Sequence, residues 1–198
     1  MKRTLAVWIA VLICASMVLC QAANQQAKPS QKKDAGKSSA PAQGGMMKPG
    51  LEQKRLGYFI GTWHMEGDTK QSAFGPAGKY TGDETDEWWS GGFFVVAHSS
   101  GKSPMGEEKA LSVMGYDPQK KVYTYDAYNN TGMHETATGT YDNGTWTWSS
   151  EMNVGGKKIK GRFIIKEDSP TSFTFRFEDS VEGGPWETIM EGKGTKTK

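Results

Sequence analysis

From residue 51 onward, apolar and polar positions alternate in short segments, with the two-residue period of β-strands that bury one face. The segment 172–178 places three phenylalanines on one face, and 145–149 places two tryptophans there. In 158–165 the apolar residues and Gly161 oppose charged ones. The apolar positions concerned are Phe173, Phe175, Phe177, Trp146, Trp148, Ile159, Phe163 and Ile165. The pattern predicts strands with a single buried face.

Turn signals divide the same region at intervals of roughly a dozen residues. They lie at 75–78, 91–92, 101–104, 117–118, 129–132, 143–144, 155–156, 168–170 and 183–185. Asn143-Gly144 is the strongest hairpin signal, because a type I′ turn needs positive φ at both positions. These turns separate about ten strands, and a short helix is expected at 51–58 before the first of them.

Meandering strands with no helix to cover the sheet protect their edges best by closing. The sequence therefore predicts an all-β domain over 51–198, a single up-and-down antiparallel barrel. A barrel of this strand number can enclose a small-ligand cavity.

The first residues are typical of export. Lys2 and Arg3 precede an uncharged apolar run at 5–19, which is shorter than the roughly 20 residues of a membrane span. Small residues follow, so we predict a signal peptide over 1–23 and a secreted or periplasmic mature protein without a transmembrane segment. Two alternatives stay open, an uncleaved N-terminal anchor and a lipid anchor through Cys20, although Leu19 lies where a lipoprotein signal favours a small residue.

Residues 24–50 contain no aromatic residue and are rich in Gln, Lys, Ser, Ala, Pro and Gly, so we expect a disordered linker. The linker carries five Lys against the single acidic residue Asp34, whereas 51–198 carry 17 Lys and Arg against 21 Asp and Glu. The domain is thus mildly acidic, which argues against a nucleic-acid partner. Both cysteines, Cys14 and Cys20, precede the domain, which excludes disulfides within it.

Four segments carry a recognisable set of motifs. They are Leu-Gly-Tyr-Phe-Ile-Gly-Thr-Trp at 56–63, Glu-Trp-Trp-Ser-Gly-Gly-Phe-Phe-Val-Val at 87–96, Gly-Tyr-Asp-Pro-x-x-Lys-Val-Tyr at 115–123, and Gly-Thr-Tyr-Asp at 139–142. Together they resemble the bacterial family called domain of unknown function 1579, over essentially all of 51–198. The resemblance implies a lipocalin-like barrel of the calycin group, with no established activity to carry over.

The resemblance also implies how the barrel closes. In lipocalin-like proteins the Trp of Gly-x-Trp closes one barrel end beneath a basic side chain from a late strand. By that resemblance Gly61 and Trp63 are structural, with Arg162 or Arg176 covering the indole through a cation–π contact.

The sequence contains no constellation that identifies a reaction, so no catalytic residue, metal ligand or cofactor is assigned. His64, His98 and His134 fall on different strands without local metal-ligand spacing. Related haem-binding barrels use a late-strand His, and here none follows 134. The acidic run 83–87 places Asp83 and Glu87 on one strand face and Glu84 and Asp86 on the other; we interpret it as an exposed acidic rim rather than an acid–base pair.

Aromatic residues carry the remaining signal, because they combine large apolar area with a polar group suited to an amphipathic ligand. Trp88 and Trp89 point to opposite faces of one strand, while Tyr123 and Tyr125 share a face. The cavity-lining candidates are Trp88, Trp89, Tyr123, Tyr125, Trp146, Trp148, His98 and His134.

Three classes of function stay open. In the first, the domain binds a small apolar or amphipathic molecule. In the second, it is an enzyme that uses the barrel interior for acid–base chemistry, and in the third it is a structural or interaction protein with a filled barrel. An empty apolar cavity would favour binding, an interior rich in charged groups would favour an enzyme, and a packed interior would favour the third. The oligomeric state is left open.

Overall fold

The computed structural model of the chain describes residues 48–72 and 75–198. The predicted signal peptide, 1–23, and the predicted linker, 24–50, lie outside this part of the chain except for residues 48–50. Both therefore stay predictions.

Ten antiparallel strands form a closed barrel in which each strand pairs with the next along the chain and β1 pairs with β10. The strands are β1 Gly61–Thr69, β2 Gly78–Trp88, β3 Val95–Ser103, β4 Gly106–Asp117, β5 Val122–Asn129, β6 His134–Asp142, β7 Thr145–Val154, β8 Lys157–Ser169, β9 Ser172–Val181 and β10 Glu187–Lys196. This confirms the predicted all-β up-and-down barrel. Positive φ angles at Asn143 (45°) and Gly144 (79°) agree with the predicted hairpin turn.

A short helical segment lies against the barrel opening at which β1 begins. It consists of α1, Leu51–Arg55, and a 3₁₀ turn, Leu56–Tyr58, in agreement with the helix expected at 51–58. We call this opening the helix end; the connections 89–94, 118–121, 143–144 and 170–171 lie at the same end because the strands alternate in direction.

Apolar packing fixes the helical segment on the barrel. Leu56 is fully buried, and the Phe59 ring lies 5.0 Å from the ring of Trp146. The Tyr58 hydroxyl donates hydrogen bonds to the backbone oxygens of Ser169 and Ser172, at 3.1 and 2.9 Å. The helix end is therefore closed by a packed apolar layer.

Large inward-facing rings pack over glycines on the neighbouring strand. Trp148 lies across Gly139 on β6, where a Cβ atom would come within 2.6 Å of the indole. Phe173 covers Gly194 on β10 in the same way. A side chain at either glycine would collide with the ring, so these pairs set how closely the barrel wall packs.

Trp63 lies buried in the helix-end layer, with 1% of its surface exposed, where the resemblance placed it. Its Nε1 donates a 2.6 Å hydrogen bond to the Phe59 carbonyl oxygen, and its ring lies 4.9 Å from that of Phe173. Gly61 begins β1 with φ 131°, and a Cβ there would fall 2.5 Å from the Lys198 backbone oxygen. The start of β1 and the end of the chain thus approach each other at the closure.

The expected cation over Trp63 is a different residue. Lys196 of β10 holds its Nζ 4.6 Å from the Trp63 ring centroid and donates to the Tyr58 carbonyl oxygen at 3.2 Å. The expectation of Arg162 or Arg176 is wrong because both point outward from strands whose Phe neighbours point inward. Both pair with Glu178, and Arg162 also lies over the Trp186 ring.

Candidate ligand cavity

Between the helix-end layer and the opposite end, the barrel contains a cavity of about 310 Å³ that is partly open to solvent. That volume is at the lower end of the range of small-molecule sites, so the interior is not filled by side chains. Every strand contributes at least one lining residue.

One wall of the cavity is apolar. It is formed mainly by β7 to β10 together with β1, the strand that carries Trp63 of the helix-end layer. Its side chains include Met65, Trp148, Phe163, Phe177 and Met190.

The other wall is polar and comes almost wholly from strands β2 to β6. Hydroxyl and carboxyl groups alternate on it with small or apolar side chains. Its polar members are Tyr80, Glu84, Ser99, Glu108, Ser112, Tyr125 and Glu135, with Ser150 of β7 next to them. Within residues 48–72 and 75–198, no Lys, Arg or His lines the cavity.

A further carboxyl lies directly behind this wall. Asp86 follows Glu84 on the inward face of β2 and is only 1% exposed. Apart from the neighbouring carboxyl of Glu84, no N–H or O–H group of the described residues donates to either Asp86 carboxyl oxygen. Its neighbour within hydrogen-bonding reach is the carboxyl of Glu84. Two facing carboxyls satisfy each other only when they share a proton.

The protonation of these acids follows from their surroundings. Burial, followed by the Glu84 carboxyl, raises the pKa of Asp86 to about 9, with the Lys196 ammonium opposing the shift. Burial raises the pKa of Glu84 as well, opposed by its hydrogen bond with Asp86. Burial likewise raises the pKa of Glu135, opposed by a hydrogen bond with Ser150. At neutral pH the pair Glu84 and Asp86 therefore retains a proton.

The structure brings two of the eight cavity candidates to the cavity. Tyr125 and Trp148 line it from β5 and β7. Tyr123 and Trp146 face inward on the same strands but belong to the helix-end layer: Trp146 is fully buried and Tyr123 is 3% exposed. The Tyr123 hydroxyl donates to the Glu52 carboxylate of α1, so these two residues are core rather than cavity lining.

The remaining four candidates lie away from the cavity, so their placement there is wrong. Trp88 and Trp89 are 38% and 63% exposed where β2 ends at the helix end. His98 and His134 are exposed on the outer face because their strand neighbours point inward. His134 instead stacks on Tyr128, with ring centroids 4.5 Å apart.

The acidic run of β2 divides as the alternation predicted, but its interpretation needs correction. Asp83 and Glu87 face outward, as an acidic rim would. Glu84 and Asp86 face the interior, since Glu84 pairs with the buried Trp63 across the β1–β2 ladder. The signal available in the sequence was that Glu84 and Asp86 share their strand face with Tyr80, Gly82 and Trp88 rather than with charged residues. Glu108 and Glu135 were missed because a single carboxyl in a polar strand has no neighbouring pattern that indicates an inward-facing position.

Other features of the described residues do not compete with this cavity. A larger depression of about 870 Å³ is a shallow groove on the outer wall that includes Lys79, Arg176 and Lys193, and it is open to solvent. Across 48–72 and 75–198, no three His, Cys, Asp or Glu side chains are grouped to hold a metal ion. In the same residues no helix has the length and apolar character to cross a membrane.

Comparison with known proteins identifies a family and two solved structures that resemble this chain. The model of one family, described as "Protein of unknown function (DUF1579)", matches residues 48–196. The crystal structure of Rv2717c from M. tuberculosis matches with a TM-score of 0.52 and 9% identity, covering 76% of this chain and 100% of that one. The S-type phycobiliprotein lyase CPES from Guillardia theta matches with a TM-score of 0.49 and 9% identity, over 74% and 93% of the two chains. No curated protein sequence matches the chain. The likeness to the mycobacterial protein is one of fold alone.

Proposed function

The chain belongs to the DUF1579 family, and we propose that it is an exported protein that binds a small amphipathic ligand inside its barrel. The observation that carries the proposal is the two-sided cavity, apolar on the wall next to Trp63 and polar on the wall formed by β2 to β6. An amphipathic molecule can bury its apolar body on one wall and meet hydrogen-bonding groups on the other.

The cavity volume limits the size of the ligand. About 310 Å³ holds a small molecule with one ring or a short chain, but not a long acyl chain in full. Trp148 and Tyr125 approach each other on this cavity with ring centroids 5.8 Å apart, which provides a rigid aromatic surface for the ligand body.

The two alternative functions receive less support. A filled barrel does not agree with an interior cavity of this volume. Acid–base chemistry draws on the facing carboxyls of Glu84 and Asp86, but His64, His98 and His134 all lie on the outer face and cannot serve in it. Binding therefore uses more of the observed geometry than catalysis does.

Export rests on the sequence. The apolar run 5–19 behind Lys2 and Arg3 supports cleavage near Ala23, which would release the domain outside the cytoplasm. N-terminal sequencing of protein from its own host tests this. An intact Met1 or a lipid on Cys20 would contradict release by ordinary cleavage.

Native mass spectrometry of protein purified from its own host tests the binding. We expect an additional mass that dissociates on activation and belongs to a compound with both an apolar and a polar part. Ala137→Phe should abolish this mass, because Ala137 lines the cavity and the added ring would fill it. Thr138→Phe is the matched control, since Thr138 is exposed on the outer face of the same strand. Equal retention by both variants would show that the compound binds elsewhere.

A further inference from the structure

We propose that the barrel selects ligands with a cationic head group, an ammonium or a related nitrogen cation, held on the carboxyl wall at Glu84. This inference names the ligand class of the cavity and rests on the proposed binding function. Three observations support it: a buried pair of carboxyls with a single donor between them, a wall whose charges are all acidic, and aromatic rings beside that wall.

The first observation is Asp86. A carboxyl buried to 99% normally accepts hydrogen bonds from the protein, because leaving its oxygens unpaired costs stability. Among the described residues its only hydrogen-bonding neighbour is the carboxyl of Glu84, which lines the cavity. At neutral pH the shared proton gives the two carboxyls a single donor for four oxygen atoms, and a cationic N–H group bound at Glu84 would supply a further one.

The second observation is the sign of the charges. The cavity contains Glu84, Glu108 and Glu135 and, in the part of the chain that the structure describes, no basic side chain to balance them. Lys196 approaches Asp86 from the helix end, but its ammonium already lies over Trp63 and donates to Tyr58. Carboxylates in a low-dielectric interior attract a cation strongly and repel an anion; this applies to Glu84 and Glu135, whereas Glu108 is exposed to solvent.

A metal ion is a poor candidate for that cation. No set of three acidic or histidine side chains in 48–72 and 75–198 converges closely enough to hold one. The carboxyls instead come from β2, β4 and β6, around the wall of the barrel. An organic cation, which spreads its N–H groups over a larger volume, fits that separation.

The third observation is the aromatic surroundings. Tyr80, Tyr125 and Trp148 line the cavity together with the carboxyls. The faces of these rings attract cations, and the attraction increases where water is excluded. The faces of these rings do not attract an anionic head group. The aromatic rings and the carboxyls therefore both favour a cation.

Binding of a cation should release a proton from the facing carboxyls. The charged and titratable groups packed around Glu84 and Asp86 are Lys196 from β10, Tyr80 from β2, Glu108 from β4, Tyr125 from β5 and Glu135 from β6; β1 and β3 contribute uncharged Trp63 and Ser99. A ligand cation near these acids stabilises their ionised forms, and the shared proton leaves to solvent.

Three compounds with one phenylbutyl body test the proposal: phenylbutylamine, phenylbutanol and phenylbutanoate. Titration calorimetry at pH 7 with the full protein should show the amine binding at least about tenfold more tightly than the alcohol, and the carboxylate binding more weakly than both. The measured heat of amine binding should vary with the ionisation enthalpy of the buffer, because a proton is released.

Glu84→Gln should remove most of the amine preference, bringing amine and alcohol to within about threefold of each other. Glu87→Gln, which removes one charge from the outward face of the same strand, should leave the preference unchanged. Glu135→Gln provides a second cavity variant should Glu84→Gln fail to fold, and it should also reduce the preference.

The outcomes separate this inference from the proposed function. If alcohol or carboxylate binds as tightly as the amine, and Ala137→Phe abolishes that binding, the cation preference is overturned while cavity binding stands. If none of the three compounds binds, the cation preference and the binding of ligands of this size are both contradicted.

Discussion

The helix end and the cavity half of the barrel are built from the same strands but differ in how they satisfy their inward-facing side chains. At the helix end Trp63, Trp146 and Leu56 are almost fully buried, and the Trp63 indole N–H has a backbone acceptor. In the cavity half, Glu84, Glu108 and Glu135 line an open volume. Asp86, which pairs with Gly61 at the boundary between the two regions, has only the Glu84 carboxyl as a hydrogen-bonding neighbour among the described residues.

This contrast separates the region that stabilises the barrel from the region to which we assign ligand binding. Dense apolar packing contributes stability in proportion to the area it removes from water. A buried pair of carboxyls with a single shared proton lowers stability instead, and such groups are found in proteins mainly at functional sites. The predictions below set variants of the two regions against each other.

The largest expected effect is at the helix end. Trp63→Ala should lower the free energy of unfolding by about 3–5 kcal/mol, because it removes a buried indole and leaves a void among Phe59, Phe173 and Lys196. Met65→Ala, the next inward residue on β1, borders the existing cavity and should cost less than half as much. Chemical denaturation of both variants measures the contrast. Equal losses would show that the two regions are packed alike.

The next effect has the opposite sign and lies at Asp86, the carboxyl behind the polar wall of the cavity. The pKa of Asp86 is raised to about 9 in the folded protein, whereas an aspartate in an unfolded chain titrates near pH 4. Between these values the folded state holds a proton that the unfolded state has lost, so this group's contribution is fully present at low pH and is lost as the pH rises towards 9.

Asp86→Asn should therefore stabilise the protein at high pH. The variant has no carboxyl to ionise, so its stability should exceed that of the wild type by a margin that grows from pH 4 to pH 9, reaching about 1–3 kcal/mol. Denaturation curves of both proteins across this range test it. A constant difference at every pH would mean that Asp86 titrates normally.

The sequence predicted the barrel because strand alternation and turn chemistry are local signals, readable within a few residues of Asn143-Gly144 or Phe173. For β2 it shows that Glu84 shares a face with Tyr80, Gly82 and Trp88, but it does not show which residue lies beside Glu84. The pairing of Glu84 with Trp63 depends on the register between β1 and β2. The same limit applies to Lys196, which reaches Trp63 through the β1–β10 ladder, between strands at the two ends of the domain. The register between strands determines which side chains meet at the site, and this register cannot be derived from local patterns.

A smaller effect tests the cation at the barrel closure. Lys196→Met keeps the aliphatic stem but removes the ammonium over Trp63 and its hydrogen bond to Tyr58, which should cost about 1–2 kcal/mol. Lys166→Met is a matched control on the exposed outer face of β8 and should change stability by less than about 0.5 kcal/mol. Thermal denaturation of both variants measures the difference. Equal losses of stability would show that the Lys196 contact does not stabilise the fold.

The smallest effect is expected at the exposed tryptophans of the helix end. Trp89 is 63% exposed in the 89–94 connection, so Trp89→Ala should cost less than about 0.5 kcal/mol. Trp88 is 38% exposed, and its indole approaches Gly57 of the 3₁₀ turn, so Trp88→Ala should cost more than Trp89→Ala but less than Trp63→Ala. Because neither indole lines the cavity, both variants should bind phenylbutylamine as the unaltered protein does. A loss of several kcal/mol in Trp89→Ala would show that the helix-end layer includes the 89–94 connection. Weaker amine binding in either variant would show that the ligand also contacts the outside of the barrel.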